Sequence, residues 1–470
     1  MIVILYIVDS LRADFLSCYG SSQETSPNID ALARESVLFS NAFAQSTWTR
    51  AVGASLLSSL YPSVNGVRTH EDFVPPYVPT LPEVLKKKGF YTVALSAMGN
   101  ISHHFGFGRG FDRFVELYKE PRVREKRRRV PVKGTGWETH FHVDTDDVPI
   151  ATSEDINDYI FGLSNQMRQE DVFIFVWSID THAPYFHRDP ELRRFAPPDH
   201  YVSCEDVATM ADEEELDLSR AIYRDMIYYN DHHIGVLVKN LKEMGLFEEA
   251  FWIVTGDHGE AFGEHGVTSH GKVPHDEQIR VPLIMKFPFS RFTGEVSSIV
   301  QHIDIVPTVL DWLKIPKDTM LIQGRSILPT VRDHLKVNEY AFTEYQLKNH
   351  FTSYISVRTE DYKYIAAKQP GSSLARRIRE KMNLGSSPSF RHKPAYLYNL
   401  KSDPKEKVNL VYAEKKKTRR FHAIVKTFFD DNRKMMERLE RQEPRLKDQR
   451  TEQKSDEEVT KQLKALGYFE

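Results

Sequence analysis

Met1-Ile2-Val3-Ile4-Leu5-Tyr6-Ile7-Val8-Asp9 opens the chain and decides its architecture. The run Ile2–Val8 is apolar without alternation and rich in β-branched residues. A strand that is apolar on both faces must be covered on both faces, as a central parallel strand is in an α/β protein. The run is too short for the roughly 20 residues a bilayer-spanning helix needs. It also lacks the basic flank and cleavage site of a signal peptide. No later segment reaches about 18 uninterrupted apolar residues, so the reading is of a cytoplasmic protein without a transmembrane segment.

Working outward, helix-like and strand-like stretches alternate. Ser26-Pro27 opens a helix that runs through Glu35, and Leu81–Lys88 forms another that stops at Gly89. Tyr91–Ser96 reads as a strand, Glu154–Glu170 as a helix and Val172–Ser178 as a strand. Leu216–Met244 has helical periodicity and ends at Gly245. Phe251–Thr255 and Pro282–Lys286 are strands, and Ile305–Leu313 is a helix. This alternation predicts an α/β fold with a large, mostly parallel sheet sandwiched by helices.

Past residue 330 the texture changes. Short alternating runs at Tyr340–Tyr345, Tyr354–Arg358, Tyr362–Ala366 and Ala395–Leu400 predict a small antiparallel sheet. A long charged helix is expected over Glu414–Arg441 and a polar linker over 442–458. Val459–Tyr468 has enough Leu and Tyr to dock back on the body. The expected division is a catalytic domain over 1–330 and a smaller C-terminal α+β subdomain over 331–470.

Composition narrows the function. The 470 residues carry 63 basic and 66 acidic side chains, a formal charge of −3, which argues against a dedicated nucleic-acid binder. Two distant cysteines, Cys18 and Cys204, make neither a disulfide framework nor a thiolate zinc site. The 19 histidines are the better metal ligands.

In an open α/β sheet, ligands gather at the carboxyl ends of the strands. Asp9 ends the first strand, and Asp257-His258 ends a later one. Thr49 lies just before a stretch, Ala51–Ser59, that opens a helix. Carboxylates with one imidazole suit a divalent cation, with manganese or zinc ahead of calcium. Such an ion activates a coordinated hydroxyl and neutralises a phosphoryl or sulfuryl group. Lys272 adds a positive charge for the ester oxygens. Taken singly, each residue has a plainer reading. Asp9 can be a turn residue, Ser46–Thr49 a helix cap, and His265 and His270 exposed loop side chains.

Taken together, the stretches resemble the sulfatase family of the alkaline-phosphatase superfamily. They are Ile7–Asp14, Cys18–Gly20, Trp48-Thr49 through Leu60–Pro62, Thr181–Tyr185, Gly256–Glu260, Gly263–Gly266, His270–Lys272, Arg280–Ile284, Ser356–Arg358, Tyr362–Tyr364 and Leu397–Leu400 with Asp403-Pro404. The resemblance implies Asp9, Asp257, His258 and Thr49 as ligands of the metal, and Thr49 as nucleophile. It implies His182 and Lys272 as catalytic partners, with Arg50, His70 and His270 as further contacts to the anion.

The departures are as informative. The family's Cys-x-Pro-x-Arg signature, whose first residue becomes formylglycine, falls here on Thr49, Ala51 and Gly53. Threonine cannot make that aldehyde, so the resemblance points to members that work on phosphate-type esters through a covalent threonine ester. Ser10 stands where a second aspartate is usual, which implies a reduced site with one ion. The expectation is a metal-dependent hydrolase of an anionic ester. A phosphotransferase, a sulfate-ester hydrolase and a binding protein that has lost turnover are the alternatives. Basic groups at Arg122–Arg129, Arg376–Lys393 and Lys415–Arg420 read as solvated faces or as a funnel for an anion.

Overall fold

The structure is a computed structural model, described here for residues 1–125, 150–198, 200–346, 353–368, 395–442 and 456–468. Strand β1 (Ile2–Val8) lies inside a nine-stranded sheet. The other strands are β2 (Val37–Phe43), β3 (Tyr91–Ser96), β4 (Arg113–Glu116), β5 (Val172–Ser178), β6 (Ala250–Gly256), β7 (Arg280–Lys286), β8 (Gly294–Val296) and β9 (Val300–Gln301). Their order is β8-β2-β7-β6-β1-β5-β3-β4, with β9 also on β2. Only β7 runs against the rest, antiparallel to both β6 and β2. All seven residues of β1 are buried, as are those of β5 and β6. The unbroken apolar runs therefore mark strands covered on both faces.

The helices follow from local signals. Helix α1 (Pro27–Arg34) starts on a proline, and its first turn is capped from outside. Asp231 takes the Asn28 N–H at 3.1 Å, the Asn28 side-chain amide at 2.8 Å and the Ile29 N–H at 2.7 Å. Helix α2 (Thr49–Ser58) is buried along its whole length. The helix expected over Glu154–Glu170 is two. Helix α3 (Ser153–Gly162) begins at a Thr152–Asp155 capping box and stops at Leu163, and a second short helix covers Ser164–Gln169. Gly162, Ser164 and Asn165 are poor helix formers and explain the break. Helix α4 (Glu213–Glu243) lays Tyr223, Met226, Ile227, Ile234 and Leu237 against the core.

The second sheet is antiparallel throughout, in the order β10 (Ala341–Gln346), β11 (Ser353–Arg358), β12 (Tyr362–Lys368), β13 (Ala395–Asn399). Its period-two pattern splits the strands between two faces. Ile355, Val357, Tyr364 and Leu397 pack with Phe421, Val425 and Phe428 of helix α5 (Lys415–Gln442). On the other face, Tyr354, Ile365 and Tyr398 pack with Trp48 and Ala51. The small sheet thus buttresses the start of α2, where Thr49 sits.

Helix α6 (Glu457–Ala465) returns to the large sheet's core. Asp456 caps it by accepting from the Val459 N–H at 3.1 Å and also pairs with Lys119 at 2.7 Å. Val459, Leu463 and Leu466 are buried in the main core, and the Gln462 amide donates to the Ala97 carbonyl at 2.8 Å. Among the described residues, no helix is long and apolar enough to cross a membrane. Most of the basic group at Arg122–Arg129 and all of Arg376–Lys393 lie outside the described residues, whereas Lys415–Arg420 opens α5.

Candidate active site

Register alone brings two acids together. In the ladders flanking β1, Val8 pairs with Gly256 on one side and with Ser178 on the other. The residues that follow, Asp9 and Asp257, leave adjacent parallel strands side by side. Gly256 is required for this approach, since a Cβ there would stand 2.4 Å from the Leu11 carbonyl oxygen. Asp9 accepts from the Trp177 indole at 2.9 Å and the Ser10 hydroxyl at 3.1 Å. One Asp257 oxygen accepts backbone N–H groups from Ser10 at 2.8 Å and His258 at 2.7 Å.

The other Asp257 oxygen, Oδ2, is buried with no hydrogen-bond donor. It lies 3.2 Å from His258 Nε2. His258 Nδ1 faces the Gly259 carbonyl at 2.9 Å and must carry the proton, so Nε2 presents a bare lone pair. Burial and then His270 push this imidazole down to about 3. Burial and then Asp9 hold the Asp257 carboxyl well above its ordinary range. Asp9, Asp257 and His258 are fully buried and their ligand atoms lie within 4.8 Å of one another. Facing lone pairs at this spacing repel unless a proton or a cation stands between them, so with the acids ionised the donor set fits a divalent ion.

Thr49, the first residue of α2, adds its hydroxyl 3.3 Å from His258 Nε2. Thr49 thus stands at a helix N-terminus, which favours an anion. Opposite stand His182 and His270, with ring centroids 5.0 Å apart. His182 is buried and its Nδ1 donates to the Ala183 carbonyl, leaving Nε2 toward the site. His270 hydrogen-bonds Glu260 through Nδ1 at 3.1 Å, and burial and then His182 push it down to about 3. Lys272 is exposed. Its backbone is tied to Thr47, and its charge also depresses His270.

Arg50 and His70 are placed differently. The Arg50 guanidinium is buried against the Phe105 ring and donates to the carbonyls of His70 and Asp72 and to the Asn100 side chain. The His70 ring packs on Trp48, tilted by 39° with centroids 4.4 Å apart. Both hold the floor beside Thr49. A second group, His265, His275 and Glu277, has two imidazoles stacked 3.8 Å apart at 7°. Rings in parallel planes do not direct their lone pairs at a common point, so this arrangement does not converge on one cation.

A sulfatase model matches residues 2–315, two thirds of the chain. The chain belongs to the sulfatase family. A second model, the C-terminal part of N-sulphoglucosamine sulphohydrolase, matches residues 263–371. An ulvan-active sulfatase of Formosa agariphila is 26% identical over 67% of this chain, which spans 62% of that protein's length. An arylsulfatase of Clostridium perfringens is 23% identical over 89% of this chain and 91% of its own. Phosphonate monoester hydrolase of Agrobacterium radiobacter shares the fold, with a TM-score of 0.70 at 20% identity over 92% of this chain and 95% of its own.

Two side chains at the site escape a reading of the sequence. Glu260 closes the Gly-Asp-His-Gly-Glu stretch, and its spacing from Asp257 was the available signal. Burial pushes Glu260 up to about 7, against the pull of His182 and His258. Tyr468 has no signal beyond being an aromatic in a docking tail. Its hydroxyl lies 2.9 Å from Thr49 Oγ1.

Gly53, where the signature arginine would fall, packs tightly. A Cβ there would meet Ile101 Cδ1 at 2.5 Å and the Phe107 ring at 3.1 Å. Gly53→Leu is expected to cost about 1–3 kcal/mol by overpacking, measured by urea unfolding.

The site also sets a pH dependence of stability. Glu260 binds its proton more tightly folded than unfolded, from its ordinary value of 4.5 up to about 7. Asp257 shifts the same way. Native-state proton uptake then exceeds that of the unfolded chain, so stability of metal-stripped protein falls as pH rises through this window. Manganese binds the ionised acids, so its increment in melting temperature is expected to grow from pH 5 to pH 8. Calorimetry with and without the ion checks this, and an increment that shrinks with pH sinks it.

Proposed function

We propose that this chain hydrolyses a phosphate- or phosphonate-type ester through a covalent ester on Thr49. The carrying observation is Thr49 Oγ1 at the helix terminus, 3.3 Å from the bare Nε2 of His258. A threonine in that place cannot supply formylglycine chemistry, but its alcohol can attack directly. Asp9, Asp257, His258 and Thr49 are the residues that would hold one divalent ion, manganese or zinc ahead of calcium. Bound there, it would supply charge neutralisation and a lowered pKa for the threonine alcohol.

The chain's own groups do the rest. Thr49 Oγ, its proton given up to solvent, forms the bond to phosphorus as the bond to the alcohol oxygen breaks. His182, when doubly protonated, directs Nε2–H at the departing oxygen and releases a neutral alcohol. Water, giving a proton back to His182, then cleaves the Thr49 ester, and the departing Thr49 oxygen takes a proton from solvent to restore the hydroxyl. Lys272 and His270 hold the non-bridging oxygens. A sulfate ester is the second reading, favoured by the sulfatase names of the relatives.

The test is an assay with manganese, zinc or calcium on aryl phosphate mono- and diesters, an aryl phosphonate ester and an aryl sulfate. A phosphorus ester is expected to turn over fastest, with a phosphorylated Thr49 peptide trapped by acid quench. Sulfate outpacing every phosphorus ester would favour the second reading. Preferential transfer to an added alcohol would make the enzyme a phosphotransferase. Metal binding without turnover of any ester would leave a binding protein.

A further inference from the structure

The tail places a phenol inside the site just described. Helix α6 is fastened by three buried apolar residues, the Asp456–Lys119 pair and the Gln462–Ala97 hydrogen bond. Gly467, at φ +77°, then turns the chain inward. A residue with a Cβ strains at that angle, and a Cβ would also meet Cys204 Cβ at 2.7 Å. Tyr468 follows. Its ring stacks on His182 with centroids 5.5 Å apart at 27°. Its hydroxyl lies 2.9 Å from Thr49 Oγ1, 3.0 Å from His182 Nε2 and 3.5 Å from His270 Nε2. Since His182 Nδ1 carries that ring's proton, the phenol donates to Nε2 and accepts from the Thr49 hydroxyl.

These partners are the ones an anionic ester needs. The 2.9 Å separation from Thr49 also decides which part of the ester the phenol replaces. An ester ready for attack holds its central atom about 3–3.5 Å from the nucleophile. Its leaving oxygen lies in line beyond that atom, farther than the phenol stands. Only a non-bridging oxygen comes as close as Tyr468 does. The phenol therefore takes the anion's own position and does not mimic a departing alcohol.

We propose that Tyr468 is a built-in competitor for the anion, held beside Thr49 by the docked C-terminal helix and displaced whenever substrate enters. The inference rests on the proposed reading of the site as an anion site. Because the competitor is tethered, its effective concentration stays fixed, and apparent affinity falls by the fraction of time the site is open.

Full-length protein, Tyr468→Ala and Tyr468→Phe, each loaded with manganese, are titrated with inorganic phosphate and with inorganic sulfate by calorimetry. KM and kcat are measured on the best aryl ester. Tyr468→Ala is expected to bind the preferred anion roughly tenfold more tightly, the factor that about one net hydrogen bond supplies. KM should fall by a similar factor, with a smaller gain for Tyr468→Phe, which keeps the ring. Equal anion affinity in all three proteins overturns the competitor while leaving the site reading intact. A fall in kcat of tenfold or more in both variants, with no gain in affinity, makes Tyr468 a catalytic group and also overturns it. If no protein binds either anion while all melt normally, the site reading and the competitor fail together.

Discussion

Thr49→Ala is expected to lower kcat/KM by on the order of 10^4 or more, because losing a nucleophile removes the covalent route altogether. The fold should hardly respond. Thr49 is the first residue of α2, where alanine is a good helix former, and its hydroxyl hydrogen-bonds His258 and Tyr468. A change in stability of about 1 kcal/mol or less is expected from the lost hydrogen bonds. Thr49→Ser should keep a substantial part of the rate, since the alcohol remains. Metal binding should survive in Thr49→Ala, because Asp9, Asp257 and His258 are untouched. Activity of Thr49→Ala within tenfold of the parent would mean that water, not threonine, attacks, and the mechanism would fall.

Lys363→Met is expected to cost about 3–5 kcal/mol of stability, the largest effect of any single change considered outside the site. The Lys363 ammonium is fully buried on β12, 2.8 Å from Asp276 and 2.9 Å from Glu406. Glu406 also accepts the Asp276 backbone N–H at 2.8 Å, and Arg358 lies 3.4 Å from Asp276. Burial alone would raise the Asp276 carboxyl, but Lys363 and Arg358 overcome it and hold that group well below its ordinary range. Burial pushes Glu406 up to about 7, with Lys363 opposing. Methionine fills the volume but leaves two acids facing each other with Arg358, beside Asp276, as their remaining cation.

The sign of the pH effect follows. The favourable Asp276 contribution is present above the ordinary carboxylate range and is lost as pH falls through its depressed value. The cost at Glu406 appears as pH rises from its ordinary 4.5 to about 7. In the variant both acids can take up protons at low pH, so the loss should be smaller at pH 5 than at pH 8. Urea unfolding at the two pH values measures it. A uniform loss under about 1 kcal/mol would show that the ion cluster contributes little.

Much of the fold was legible because burial on two faces writes itself as an unbroken apolar run, as in Ile2–Val8 and Val172–Ser178. The cluster of acids was legible for a related reason: Asp9 and Asp257 directly follow such runs, and strand ends are where side chains meet. Strand β2 was not, because Ser40 and Asn41 interrupt it at half-buried positions. The reversal of β7 was not either, since a buried strand reads the same in both directions. Glu260 stands inside a recognisable motif, but its place in the site comes from contact with His270, ten residues on. Tyr468 was beyond reach, because its hydroxyl meets Thr49 across 419 residues of chain. No periodicity encodes a contact of that kind.

The reversed strand β7 has a consequence for how this catalytic centre diversifies. Because β7 descends from the rim at which β6 ends, the chain has no crossover between Asp257 and Ile279 and never quits the ligand-bearing edge. Asp257, His258, Glu260, His270 and Lys272 therefore travel as one cassette. Its tie to the helices that cover the sheet runs through Phe262, whose carbonyl accepts from Arg220 of α4 and whose ring meets Tyr223 at 5.0 Å. A descendant enzyme could inherit the scaffold whole and exchange its preference for one ester over another by rewriting a single uninterrupted passage.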